Sequence, residues 1–328
     1  MTVVVTGAAG HIGCNLVRAL LERGRQVRAL VHRDRRALEG LQLEVISGDV
    51  RRQEDLERAF AGAEHVYHCA SVISVDGDLD GLVTEVNVVG ARNVAEMALR
   101  CGVRRLVHFS SIHAFDVDQL DGPIDEDTPR ARPDQPAYNR SKAAGEAALR
   151  EVIGAGLDAV VINPTAVLGR NDFGPSHQGQ LFLDLFHGKL PLLVEGGFDW
   201  VDVRDVVDTA LAAAERGRSG ESYLAAGHYH TVMELAAMAQ QVCGRAMPRH
   251  AAPQWLARIG APFMTLGNRL FGIRALYTPE SLRSLRANPE ISSAKARAEL
   301  GHHPRPLLET VEDMYRSFAE RGLVELDL

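Results

Sequence analysis

TVVVTGAAGHIGCNLVRALLERG, residues 2–24, is the stretch on which the fold turns. TVVVT is a β-branched run of strand length, and TGAAGHIG (6–13) follows it directly. Ile12, Leu16, Ala19 and Leu20 then recur on one face at helical spacing, and Gly24 marks the stop. Between strand and helix, Gly7, Gly10 and Gly13 are spaced GxxGxxG. The first glycine serves the tight turn, the second lets backbone approach a pyrophosphate, and the third lets helix and strand pack closely. A helix N-terminus adds unpaired N–H groups and partial positive charge. Gly7, Gly10, His11, Ile12 and Gly13 therefore form a candidate dinucleotide loop.

Outward from this loop, QVRALV (26–31), LEVISGD (43–49), EHVYHCA (64–70), VRRLVHFSS (103–111) and LDAVVINP (157–164) read as strands. Helical patterns over 53–62, 79–102 and 138–155 alternate with them. The alternation predicts an α/β fold, a Rossmann-type doubly wound parallel sheet with helices on both faces. After residue 165 the rhythm breaks. TAVLGRNDFGPSHQGQLF reads as loop, 201–216 as helix, 222–227 as one more strand, 231–244 as helix and 252–272 as one or two amphipathic helices. The expected division is a dinucleotide-binding domain over 1–165 and a smaller, mostly helical substrate-binding part over 166–328. A segment near 201–227 is expected to return to the sheet.

Composition narrows the function. The chain has 328 residues and a formal net charge of −7, so there is no basic excess to neutralise nucleic acid phosphates. Cys14, Cys69, Cys101 and Cys243 form neither a CxxC nor a metal-ligand spacing and read as reduced thiols of a cytoplasmic protein. The first strand begins at once, so no signal peptide is expected. The apolar stretch at 252–272 carries Arg258 and Arg269, which argues against a membrane span.

The end of the second strand is expected to meet the adenosine ribose. A carboxylate there would accept from both ribose hydroxyls. The sequence instead places His32 and Arg33 after Val31, within HRDRR. Arginine suits a 2′-phosphate, so NADP(H) is favoured, with Asp34 keeping NAD(H) as the alternative. At the end of the third strand, GDV places Asp49 to accept from the adenine amino group and Val50 against the ring.

AYNRSKAAGEAALR (137–150) holds one of six tyrosines and one of three lysines. Tyr138 and Lys142 are four apart and share a helix face. A phenol alone, with a pKa near 10, is a poor acid at neutral pH, and a nearby ammonium would lower it. Chance predicts about 0.05 such pairs in this composition. Ser110 and Ser111 end a strand at the carboxyl edge, where a hydroxyl would hold a substrate oxygen.

Taken in order, TGAAGHIG, GDV, HCAS, FSS and YNRSK resemble the extended short-chain dehydrogenase/reductases (the NAD-dependent epimerase/dehydratase family). NPTAVLGRND, WVDVRDVV and SSAKARAELGHHPRP extend the likeness over nearly the whole chain, which is most similar to the dihydroflavonol-4-reductase-like branch. The resemblance implies a Ser111–Tyr138–Lys142 triad, with Asn87 of EVNVVG as its accompanying asparagine. It also implies cofactor contacts from Cys69, Ala70 and Ser71, from Asn163, Pro164 and Thr165, and from Tyr138 and Lys142. SSIHAFD carries no acidic pair after Ser111, so dehydration is disfavoured. Its His113 stands where the family has a small residue, and is a candidate substrate contact or second proton carrier.

The expected activity is reduction of a ketone or aldehyde by hydride transfer. Its small-molecule substrate would be lined by His113, Phe173, His177, Gln180 and Leu181, with Trp255, Phe263 and Met264 on a lid. A nucleotide-sugar epimerase is the main alternative, with Arg204, Arg269 or Arg274 for a second diphosphate; a non-catalytic cofactor sensor is a further one. The resemblance allows a homodimer built on helices 79–102 and 138–155.

Overall fold

The computed structural model describes residues 2–118, 121–190, 192–256, 279–285 and 288–326. The strands are β1 (Thr2–Thr6), β2 (Gln26–Val31), β3 (Glu44–Ser47), β4 (Ala63–His68), β5 (Arg105–Phe109), β6 (Ala159–Pro164), β7 (Ala166–Leu168), β8 (Leu193–Val194), β9 (Gly197–Asp202), β10 (Ser222–Ala225), β11 (His228–Thr231) and β12 (Ala251–Ala252). The main sheet has seven strands in the order β10-β6-β5-β4-β1-β2-β3, and every pairing in it is parallel. Val3, Val4 and Val5 are buried on both faces of β1, which is why TVVVT is apolar without alternation. Strand order reverses between β1 and β4, so the crevice beyond their carboxyl ends is the ligand edge of the sheet.

Helices α1 (His11–Glu22), α2 (Gln53–Phe60), α3 (Leu82–Thr84), α4 (Gly90–Arg100), α5 (Ala137–Gly154), α6 (His177–Phe186), α7 (Val203–Arg216), α8 (Val232–Cys243), α9 (Pro279–Ser284), α10 (Ala294–Leu300) and α11 (Leu307–Glu320) complete the described elements. On one face, Leu16, Val17 and Leu20 of α1 and Val206, Val207 and Ala210 of α7 pack on odd-numbered β1 and β4 residues. On the other, Leu56 and Phe60 of α2, Val94 of α4 and Leu149 of α5 pack on Val4, Val66 and Leu106. A third cluster joins α6, α8 and α11 around Phe182, Leu235 and Tyr315. Thr231 and Glu234 form a capping box that starts α8.

Two expectations are corrected. The stretch after residue 165 is not a plain loop: it contains β7, which pairs with β9, and the start of α6, whose cap Ser176 accepts from the Gly179 N–H at 3.0 Å. The helix expected over 79–102 starts only at Leu82, because Leu79 and Asp80 adopt left-handed φ values of 49° and 55°. A π-helical turn, Glu85–Val89, then separates α3 from α4. Among the described residues no helix is long and apolar enough to cross a membrane.

Candidate active site

Gly7 has φ +63°, and a Cβ there would lie 2.5 Å from the Ala70 backbone nitrogen. A Cβ on Gly13 would lie 2.2 Å from the Gly7 carbonyl oxygen, so helix and turn meet without room for a side chain. At Gly10 a Cβ would meet only the Gly7 oxygen at 3.2 Å, and the position otherwise faces open space. No side chain caps α1. The loop thus offers bare backbone and an uncapped helix start, a cradle that fits a dinucleotide pyrophosphate. Ile12 packs into the core, while His11 Nε2 hydrogen-bonds the Arg170 carbonyl at 3.1 Å. The chain after β4 runs beside the loop: the Cys69 N–H donates to Thr6 O at 3.1 Å and the Ala70 N–H to Thr6 Oγ1 at 3.4 Å.

At the adenosine end, Arg51 grips Asp49 with Nη2 at 2.6 Å and Nε at 3.0 Å, which holds that carboxyl below its usual range. His32 Nε2 lies 3.6 Å from the same carboxylate. Asp34 is pulled down to about 2 by the Arg36 fork. Arg33 is exposed and has no partner among the described residues. Val50 is buried, with Cγ2 in the space a Gly90 Cβ would occupy.

Tyr138 opens α5, and Lys142 and Glu146 follow on the same stripe. Burial pushes the Tyr138 phenol up to about 12, against a hydrogen bond from Ser111 that works to lower it. Ser111, and not Ser110, is the serine that faces the phenol. Ser111 Oγ also accepts the His113 N–H at 3.2 Å, which leaves its proton free to donate. Burial pushes Lys142 down to about 8, with Glu146 opposing. Its Nζ donates to the Phe109 carbonyl at 3.1 Å at the end of β5. Burial sets the direction of the phenol's shift, and the ammonium is anchored at the strand end.

Asn87 sits in the π turn with all its side-chain groups engaged. Nδ2 donates to Val72 O and to Ser141 Oγ, each at 2.9 Å, and Oδ1 accepts from Val72 N at 2.8 Å and Ser71 Oγ at 3.0 Å. It is a positioning residue, tying the segment after β4 to α5. Asn163 is fully buried, and its Nδ2 donates to Ser111 O at 3.1 Å and Glu146 Oε1 at 2.6 Å. Pro164 ends β6, pairing with Ala225, and Thr165 follows beside Asp199. His113 sets its ring edge-on to Tyr138, centroids 5.8 Å apart at 65°.

The other candidates separate from this cluster. At Phe173, Arg18 and Arg321 stack over the ring at 5.3 and 4.6 Å, holding it against the α1 side. Gln180 Nε2 bonds Asp184 one turn along α6 at 2.9 Å, Leu181 packs into the C-terminal core, and His177 begins α6. Asp202 and Asp313 hold the Arg204 guanidinium at 2.7 and 2.6 Å, so its charge is already paired within the fold. Trp255 is 64% exposed. Phe263, Met264, Arg269 and Arg274 lie outside the described residues. A cavity of about 430 Å³ lies against Val3, His65 and Tyr67, between α1 and α7. Val3 and His65 lie in the first halves of their strands and Arg25, also in its lining, precedes β2, so it sits at the amino edge of the sheet and is not the reaction site.

The sequence profile of the NAD dependent epimerase/dehydratase family matches residues 3–226. The chain belongs to that family. It is 38% identical to sterol demethylase protein B of Methylococcus capsulatus over 99% of this chain and 100% of that protein. A Synechocystis protein assigned as a dihydroflavonol 4-reductase is 31% identical over 77% of this chain and 75% of its own, and the 3-beta-hydroxysteroid dehydrogenase of Mycolicibacterium neoaurum is 28% identical over 92% and 86%. The solved structure of gox2253 superposes with TM-score 0.85 at 32% identity, covering 99% of both chains. The NAD complex of Thermus thermophilus UDP-glucose 4-epimerase shares the fold with TM-score 0.77 at 24% identity, over 97% of this chain and 99% of that one.

Within this family member, three positions around the site escaped the sequence reading. Glu146 extends the 138, 142 stripe by one further turn, a signal present in YNRSKAAGEA. Ser141 and Gly145 line the adjacent stripe against Asn87 of the π turn. Ser141 Oγ donates to the Tyr138 carbonyl at 2.7 Å, and Gly145 admits the Asn87 carbonyl, which a Cβ would approach to 2.4 Å.

Proposed function

We propose that this chain is a nicotinamide-dependent oxidoreductase that interconverts a ketone or aldehyde and its alcohol, with Ser111, Tyr138 and Lys142 as catalytic residues. The observation that carries the reading is a buried Tyr138 phenol, on which Ser111 acts, together with a buried Lys142 whose Nζ donates to the Phe109 carbonyl at the carboxyl edge of β5. A bound nicotinamide would supply or accept the hydride. Ser111 and Tyr138 hydrogen-bond the substrate oxygen as charge develops on it. With its pKa above neutrality, Tyr138 arrives protonated and gives its proton to the oxygen during reduction, or takes one during oxidation. While protonated, Lys142 adds positive charge to the buried site.

The substrate class is drawn from relatives that match this chain over most of its length. The sterol and 3-beta-hydroxysteroid names of the relatives favour a ring-bound secondary alcohol, or its ketone, on a largely apolar skeleton. NADP(H) is the proposed cofactor, read by the unpaired Arg33 next to an Asp34 already neutralised by Arg36.

The test follows reduced-nicotinamide absorbance with NADPH and NADH separately, using 3-ketosteroids and simple cyclic ketones. Turnover that Tyr138→Phe lowers by about 10²-fold or more supports the reading. Equal rates in wild type and Tyr138→Phe would sink it, and a preference for NADH would sink the cofactor assignment alone.

A further inference from the structure

His113 follows Ser111 in a 3₁₀ turn, Ile112–Ala114, and the bond from its N–H to Ser111 Oγ fixes its place relative to that hydroxyl. Nδ1 is enclosed and has no hydrogen-bond partner, while the residue as a whole is only half-buried. Nε2 carries no protein partner among the described residues either, and it is not enclosed. An imidazole with two unused nitrogens is uncommon beside a reaction centre, because each unmet polar atom carries a desolvation cost. The ring touches Tyr138 edge-on at 5.8 Å between centroids. An oxygen bound at Nε2 and one held by the phenol would then be near enough to belong to one small substrate.

We infer that His113 reads a second oxygen on the substrate, one or two carbons from the reacting carbon, so that preferred substrates are hydroxyketones and the matching diols. The inference rests on Tyr138 and Ser111 holding the reacting oxygen, as proposed above. The second oxygen is neutral, a hydroxyl or carbonyl. Burial pushes His113 down to about 4, so the ring is uncharged at physiological pH and offers no cation to a carboxylate. Asp118 is the charged group that acts on it, and Arg283 and Arg132 already hold that carboxylate. A neutral imidazole serves either as donor or acceptor through Nε2, as the substrate requires.

The experiment compares 2-hydroxycyclohexanone with cyclohexanone, in wild type, His113→Leu and His113→Gln. Reduction gives kcat/KM, and calorimetric titration onto the protein loaded with NADP⁺ gives affinity. Wild type is expected to favour the hydroxyketone by at least about tenfold. His113→Leu brings that ratio to about one, and His113→Gln, which keeps a hydrogen-bonding group, restores part of it. A ratio near one in wild type, or one unchanged in His113→Leu, overturns the inference, as does binding of neither ketone. Binding that shows the His113-dependent preference without any turnover supports the inference and sinks the oxidoreductase reading instead.

Discussion

Asn163 donates a 2.6 Å hydrogen bond to Glu146, and through the same Nδ2 it donates to the backbone carbonyl of Ser111. One amide thus links the helix that carries Tyr138 and Lys142 to the strand end that carries the serine. Glu146 is 1% exposed, and Arg130 pairs with its other oxygen at 3.0 Å while stacking on Phe115 at 4.0 Å. Removing one partner of a buried pair leaves the other uncompensated.

Glu146→Ala is therefore expected to lose about 3 kcal/mol or more of stability, and Glu146→Gln less, since the amide still offers an oxygen to Asn163. Both should lower kcat more than they raise KM, because they disturb the Ser111–Tyr138 geometry without touching the pocket. Denaturant unfolding and steady-state kinetics on the two variants check this; unchanged values in Glu146→Ala would contradict it.

Lys142 predicts a pH limb. With its pKa near 8, the ammonium is charged below that pH and neutral above it. Reductive kcat/KM should fall as pH rises through about 8, and the limb should vanish in Lys142→Met. The stability sign runs the other way. The folded pKa lies below the ordinary 10.5, so stability is lost as pH falls from 10.5 through about 8. At pH 7 Lys142→Met should then be more stable than wild type by up to about 3 kcal/mol, less the lost bond to Phe109. Chemical denaturation at pH 7 and pH 10 measures the difference.

Much of this arrangement could be read from the sequence, because it depends on local chemistry. The β-branched core run, the glycine spacing and the Tyr138–Lys142 interval are short-range signals, and β1, α1 and α5 form where they say. Tertiary packing set what was missed. Phe173 looked available to a substrate, but it is claimed by two arginines, one of them almost at the far end of the chain. Asn87 was legible as a motif residue, yet its four bonds depend on a π turn that no periodicity announces. The direction of Lys142, toward Phe109, depends on where β5 ends in space.

Gly145 and Gly154 lie on the same helix and predict opposite outcomes. Alanine in place of glycine inside a helix ordinarily stabilises by about 1 kcal/mol. At Gly154 a Cβ meets nothing within 4 Å, so Gly154→Ala should hold or raise Tm. At Gly145 it would stand 2.4 Å from the Asn87 carbonyl, a backbone atom fixed by the π turn. Gly145→Ala should lower stability by about 1–3 kcal/mol and reduce activity as α5 moves away from Asn87. Thermal melts of the two variants side by side decide it; equal shifts would mean that the π turn and α5 do not approach so closely.

Acid should unfold this protein early. Burial pushes His68 down to about 3 and His113 to about 4, and His108 lies well below its ordinary value too. His68 and His108 face each other on neighbouring strands, 5.1 Å between centroids, with Lys142 adding positive charge nearby. The unfolded chain takes protons on these rings near pH 6.5, and the folded chain resists, so the stability they contribute is complete above 6.5 and drains as pH falls toward 4. Each ring that stays neutral over that span costs about 1.4 kcal/mol per pH unit. Unfolding free energy measured from pH 7 to pH 4 should drop by several kcal/mol, and His108→Gln, which cannot take up a proton, should flatten the slope by about one proton's share. A slope identical to wild type would mean that His108 is not held neutral in the fold.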